Sequence, residues 1–160
     1  MMRIANNFLI LAALCISFPF TSCRRIDYFE RNTPIAGLQW KHSTPVSGHF
    51  EIRDTTTLYN MYLILRHTDS YHFNNIWIEL TIGRPADTLR KFSLDLPLGS
   101  DADGWEGTGM NDIWEVRKKL TAVPIRFKSA GEYNYSISHI MREDPLSGIM
   151  SAGLRVEKAP

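Results

Sequence analysis

From Phe50 to Val156 the apolar side chains of this chain return at every second position, in run after run. Phe50 and Ile52 alternate with Glu51 and Arg53, and Phe92, Leu94 and Leu96 alternate with Lys91, Ser93 and Asp95. Ile76, Ile78, Leu80 and Ile82 alternate with Asn75, Trp77, Glu79 and Thr81. Tyr59, Met61, Leu63 and Leu65 share one face, as do Val123, Ile125 and Phe127, then Tyr133, Tyr135 and Ile137, then Met150, Ala152, Leu154 and Val156. Successive side chains of a strand point to opposite faces, so this period marks strands buried on one side. Turn signals separate the runs at Gly83-Arg84-Pro85, Pro97-Leu98-Gly99, Ser129-Ala130-Gly131 and Asp144-Pro145. Asp112–Leu120 fits a strand through Trp114 and Val116, and a helical turn less well. Many short strands of this kind predict an all-β fold, an antiparallel two-sheet β-sandwich of jelly-roll or immunoglobulin-like type. In Gly131-Glu132-Tyr133-Asn134-Tyr135, either one tyrosine bonds back to the turn before its strand or both are simply core.

The N-terminus obeys a different rule. Arg3 precedes a run from Phe8 to Phe20 that holds no charge, and Thr21, Ser22 and Cys23 follow it. The run is shorter than the roughly 20 apolar residues a membrane-spanning helix needs. A basic start, a short apolar stretch and small residues before a cut are the layout of a secretory signal. Phe20-Thr21-Ser22-Cys23 looks like a lipobox, with Phe20 where Leu is more usual. Cys15, the other cysteine, lies inside the apolar run and leaves with it, so mature Cys23 has no disulfide partner. The expected organisation is a signal over 1–22, lipidated Cys23 and a tether over 23–46, and a sandwich domain over 47–160. Two or three acyl chains on Cys23 would hold the protein at a membrane without an apolar patch of its own.

Removing Arg3 with the signal leaves 17 basic against 17 acidic residues. A balance near zero offers no electrostatic reason to bind nucleic acid. His42, His49, His67, His72 and His139 show no metal-ligand spacing, no G-x-S-x-G elbow is present, and no Gly-rich loop opens a helix. From the residues, then, no catalytic, metal or cofactor site can be named. His67 and His72 flank one loop, and His139 falls in phase with the inward tyrosines. The stretch Asp101–Gly109 carries acidic residues at alternate positions but lacks the third oxygen ligand of a calcium loop. Trp105 among Gly104, Gly107 and Gly109 either packs over a sheet edge or forms a recognition surface. Trp77, on the polar side of its strand, could join Tyr71 and Phe73 in a contact patch for a protein or a sugar ring. The candidate contact residues are thus Trp77, Tyr71, Phe73, Trp105, Gly107 and Gly109.

An ordered series of short motifs resembles the gliding motility lipoprotein GldH family of the Bacteroidota. It runs from Asp27-Tyr28-Phe29-Glu30 through Tyr59-Asn60 and Leu65-Arg66 to Tyr71-His72-Phe73-Asn74-Asn75. It continues through Trp105-Glu106-Gly107-Thr108-Gly109, Gly131-Glu132-Tyr133 and Met141-Arg142. It closes on Leu146-Ser147-Gly148-Ile149 and Gly153-Leu154-Arg155-Val156-Glu157-Lys158. The resemblance implies a membrane-anchored, non-enzymatic envelope component of the gliding and type IX secretion apparatus, without metal or cofactor, that works through other envelope or motility proteins. It carries over a defined role only for Cys23. The expected location is the outer membrane, and because the residues after Cys23 lack the acidic run associated with surface export, the domain is expected to face the periplasm rather than the cell surface. A glycan-binding lipoprotein using exposed aromatics is the competing expectation.

Overall fold

The computed structural model describes residues 28–85 and 87–160. Cys23 and the expected signal lie outside the described residues. The strands are β1 (Tyr28–Pro34), β2 (Gln39–Trp40), β3 (Val46–Ile52), β4 (Tyr59–Thr68), β5 (Asn75–Gly83) and β6 (Arg90–Pro97). Then come β7 (Gly99–Ser100), β8 (Gly104–Trp105), β9 (Thr108–Met110), β10 (Ile113–Lys119), β11 (Gly131–His139), β12 (Leu146–Ser147) and β13 (Ile149–Lys158). They form a five-stranded sheet in the order β1-β13-β4-β10-β9 and a four-stranded sheet in the order β3-β11-β5-β6. Two short pairs, β2 with β12 and β7 with β8, sit apart from these. Every pairing is antiparallel. The expected all-β sandwich is the observed architecture.

The core is the sum of the inward positions of the two sheets. Met61, Leu63 and Leu65 of β4 lie opposite Val156, Leu154 and Ala152 of β13, and all six are buried. On the other sheet, Tyr133, Ile137 and His139 align with Phe50, Val46 and Ile78. Phe29 reaches across from β1 to Phe50 at 5.6 Å and to Tyr135 at 6.1 Å, tying the sheets together. Tyr133 is the tyrosine that bonds back, its hydroxyl donating to Ser129 O at 2.9 Å.

Two expected boundaries move. The segment expected to be a tether, 23–46, contains part of the sheet: Tyr28–Pro34 pairs along β13 from Glu157 to Ser151, and Trp40 is fully buried. The alternation rule missed β1 because, as an edge strand, it turns little more than Phe29 inward. The expected strand at Val123–Phe127 is instead a loop held by one bridge, Tyr59 to Ile125.

The register also defines two ends. Tyr28 pairs with Glu157, and Tyr59 with Lys158, so β1 begins at the end where loops 53–58, 84–89 and 120–130 gather. Loops 69–74, 98–107 and 140–148 gather at the far end.

Candidate functional site

At the far end, the Trp105 stretch folds inward. Gly99 pairs with Trp105 and Ser100 with Gly104, while Asp103 N–H donates to Ser100 Oγ at 3.0 Å. The Trp105 ring, half-buried, meets His67 edge-on at 4.5 Å and Tyr71 at 6.2 Å. Tyr71 is only 2% exposed, its hydroxyl donates to Asn75 O at 2.8 Å, and burial raises its pKa. Phe73 packs on Tyr71 at 5.7 Å. Gly107 has φ +93°, and a Cβ there would collide with the Glu115 carbonyl oxygen. A Cβ on Gly109 would stand 2.6 Å from the Trp114 ring. The glycines of this motif thus let a loop lie flat on β10, as the packing alternative requires. Beneath it, His67 is fully buried, its Nδ1 pairs with Thr68 O at 3.1 Å, and burial holds its pKa below the ordinary 6.5. His72, at the other side of the same loop, is exposed.

The histidines that do meet are another pair. His42 stacks on His139 at 4.2 Å, and Asp144 completes a trio whose ligand atoms lie within 4.8 Å of one another. Sequence spacing could not show this, since the three come from the loop after β2, the end of β11 and the loop before β12. Each already has a partner: His42 Nδ1 lies 2.8 Å from His139 O, and His139 Nε2 lies 2.9 Å from Trp40 O. Asp144 Oδ1 accepts the His42 backbone N–H at 3.0 Å. The trio is a cross-tie that fixes the Trp40 segment against β11. Desolvation, then the neighbouring His42, holds the His139 pKa below its ordinary value. Asp101 and Asp103 belong to no such group among the described residues.

Trp77 is placed differently. It lies on the outer face of the four-stranded sheet with 43% of its surface exposed, opposite Asp95. Its backbone carbonyl accepts the Ile140 N–H at 2.8 Å, and Ile140 is exposed beside it. Its neighbours on this face are Asn75 and Glu79 along β5, Asp95 and Ser93 on β6, and Ser138 and Ile140 on the β11 side, with Asn75 Nδ2 donating to Asp95 Oδ1 at 2.6 Å and Lys91 pairing Glu79 at 2.9 Å. Tyr71 and Phe73 do not join this patch: Tyr71 is core, because its ring is needed under Trp105. The outer face of the five-stranded sheet is closed by charge. Glu30, Arg155, Glu157 and Arg117 form a continuous ladder with contacts of 2.6 to 2.9 Å, and Arg66 pairs with Glu115 at 2.5 Å.

The family described as GldH lipoprotein matches residues 27–156, from the first residue before β1 almost to the end of β13. This chain belongs to the GldH lipoprotein family. The "Gliding motility lipoprotein GldH" of Flavobacterium johnsoniae is 27% identical over 164 residues, covering 98% of this chain and 99% of that one. The "Gliding motility lipoprotein GldH homolog" of Christiangramia forsetii is 24% identical over 147 residues, 88% and 89% of the two chains. No solved structure matches. Among the described residues no helix is long and apolar enough to cross a membrane.

In this GldH-family chain, sequence reasoning missed Ile140 as Trp77's neighbour. Ile140 follows the inward His139 and so takes an outward place, but only the pairing of β11 with β5 brings it to Trp77.

Proposed function

We propose that this GldH-family protein is a lipid-anchored, non-enzymatic adaptor of the gliding motility and type IX secretion apparatus. Its anchor is Cys23, at an outer membrane with the domain facing the periplasm, and its protein-docking surface is the outer face around Trp77 and Ile140. The observation that carries the docking surface is a tryptophan left exposed on a sheet face with exposed Ile140 beside it. Tryptophan is enriched among the residues that carry the binding energy of protein interfaces, and exposed Ile140 adds apolar surface beside it. The names of the Flavobacterium and Christiangramia relatives support the motility assignment.

The fold supports the orientation. Five residues from Cys23 to Tyr28 reach at most about 18 Å, so the end where β1 begins stays near the bilayer. Ten-residue strands such as β4 then carry the far end about 30 Å outward, and Trp77 stands on that outer half.

Affinity purification from intact cells through a C-terminal tag tests the reading, the tag lying at the tether end away from Trp77. Motility or secretion components should accompany the wild type and be lost with Cys23→Ala and with Trp77→Ala. Recovery of the same bulk envelope proteins from all three would overturn it. A flat exposed indole also suits a sugar ring, so saturable binding to a polysaccharide panel, abolished by Trp77→Ala, is the result that would replace the adaptor with a glycan-binding lipoprotein.

A further inference from the structure

At the tether end the two sheets part on the β6 side, leaving an open cleft of about 680 Å³. That lies within the range of about 300–1,000 Å³ typical of small-molecule sites. Leu80, Phe127 and Phe92 supply its apolar wall. Phe92 is the telling residue: it is in phase with Leu94 and Leu96 and opposite buried Leu80, yet 44% of it is exposed. An inward position left open to solvent means the sandwich is unfilled there. Arg90, Arg126 and Lys128 line the same cleft, and none of them forms an ion pair among the described residues. The one carboxylate in the lining, Asp87, faces Arg84 at 4.0 Å. The hydroxyl of Thr121, also in the wall, is buried with no hydrogen-bond partner among the described residues.

We propose that this cleft binds a single-chain anionic amphiphile, its acyl chain against Leu80, Phe92 and Phe127 and its head at Arg90, Arg126 and Lys128. The apolar wall excludes a purely polar anion, and the unpaired cations select a charged head over a neutral one. The exposed side chains of Leu58, Leu89 and Val123 sit on the three loops of this same end, as a surface held against lipid would require. The binding chemistry stands on the cleft alone; only its placement next to the bilayer rests on the Cys23 anchor of the preceding section.

The test uses the chain from residue 23 onward carrying Cys23→Ser, which contains every residue of the described core. Titration with cis-parinaric acid should give a saturable rise in fluorescence, which oleate or an anionic lysophospholipid displaces at least tenfold better than oleyl alcohol. Displacement by oleate alone assigns a carboxylate head, by the lysophospholipid alone a phosphate head, and by both a site that reads charge only. The double change Arg126→Glu, Lys128→Glu should weaken binding tenfold or more with the urea midpoint unchanged. Absence of saturable binding, equal displacement by oleyl alcohol, or an unchanged affinity in the double variant would overturn the proposal. Partner capture through Trp77 is a separate readout, so either proposal can fail while the other stands.

Discussion

Trp105 and Trp77 occupy opposite situations although both stand out in the sequence as candidate contact residues. Trp105 sits among glycines in a loop, the usual setting of a recognition surface, and the fold turns it down onto His67 and Tyr71. Trp77 sits in mid-strand, the usual setting of core, and the fold leaves it outside. The difference teaches that exposure follows from what a backbone segment can lie against. Gly107 and Gly109 remove the two Cβ atoms that would lift the loop off β10 and Trp114, so Trp105 can come down. Trp77 is bound to the sheet pleat, and the inward side of β5 is already filled by Ile76, Ile78, Leu80 and Ile82.

The sharpest way to break this comparison is Trp105→Ala. It should destabilise the protein by about 2–4 kcal/mol, toward the lower end for a large aromatic because the ring is half-buried. Urea unfolding measures it; a loss below about 1 kcal/mol would return Trp105 to the surface candidates.

Gly107→Ala comes next, at about 2 kcal/mol, because a left-handed backbone and a clash with a carbonyl oxygen combine there. The same substitution at exposed Gly104, where nothing lies within 4 Å of a Cβ, should cost less, which separates the collision from the backbone strain the two positions share.

The pH dependence reads the far end directly. Both His67 and His139 have folded pKa values below 6.5, burial being the first cause in each case. Above pH 6.5 both states carry neutral rings and the shift contributes nothing. As pH falls below 6.5 the unfolded chain takes up protons that the folded chain refuses, so stability declines until the folded pKa values are passed. Urea midpoints at pH 8, 6.5 and 5 should show that decline, and His67→Leu with His139→Leu should flatten it.

The smallest stability effect belongs to Trp77→Ala, within about 0.5 kcal/mol as for other surface positions, combined with at least tenfold weaker partner capture. Arg66→Ala on the opposite outer face is its control. An exposed ion pair is worth about 0–1 kcal/mol, and capture should be unaffected. If Arg66→Ala weakened capture while Trp77→Ala did not, the docking face would be the charged one.

The two outer faces explain why one of them is available. On the five-stranded sheet, Arg155 stacks on Tyr28 at 3.7 Å and Arg117 on Tyr62 at 4.3 Å while both also hold Glu157. Those groups would have to be stripped of good partners before a protein could dock. On the other face Trp77 and Ile140 stand exposed with no cation stacked on the indole among the described residues, and the nearest ion pair is the single contact of Lys91 with Glu79.

The strands, their inward faces and the all-β class were legible in the sequence, because alternation is a property of neighbours along the chain. So was the Ser129-Ala130-Gly131 turn before Tyr133, to which that tyrosine bonds back across four residues. The strand read into Val123–Phe127 failed for want of a partner strand: only Ile125 pairs, and Val123 is exposed. The tertiary structure alone decided that Tyr28–Pro34 belongs to a sheet, that Tyr71 is core while Trp77 is surface, and that His42, His139 and Asp144 meet. It also decided that the cleft opens beside Phe92. Each of these depends on which distant strand lies alongside, and that choice is made by the summed packing of two whole faces rather than by any local run of residues.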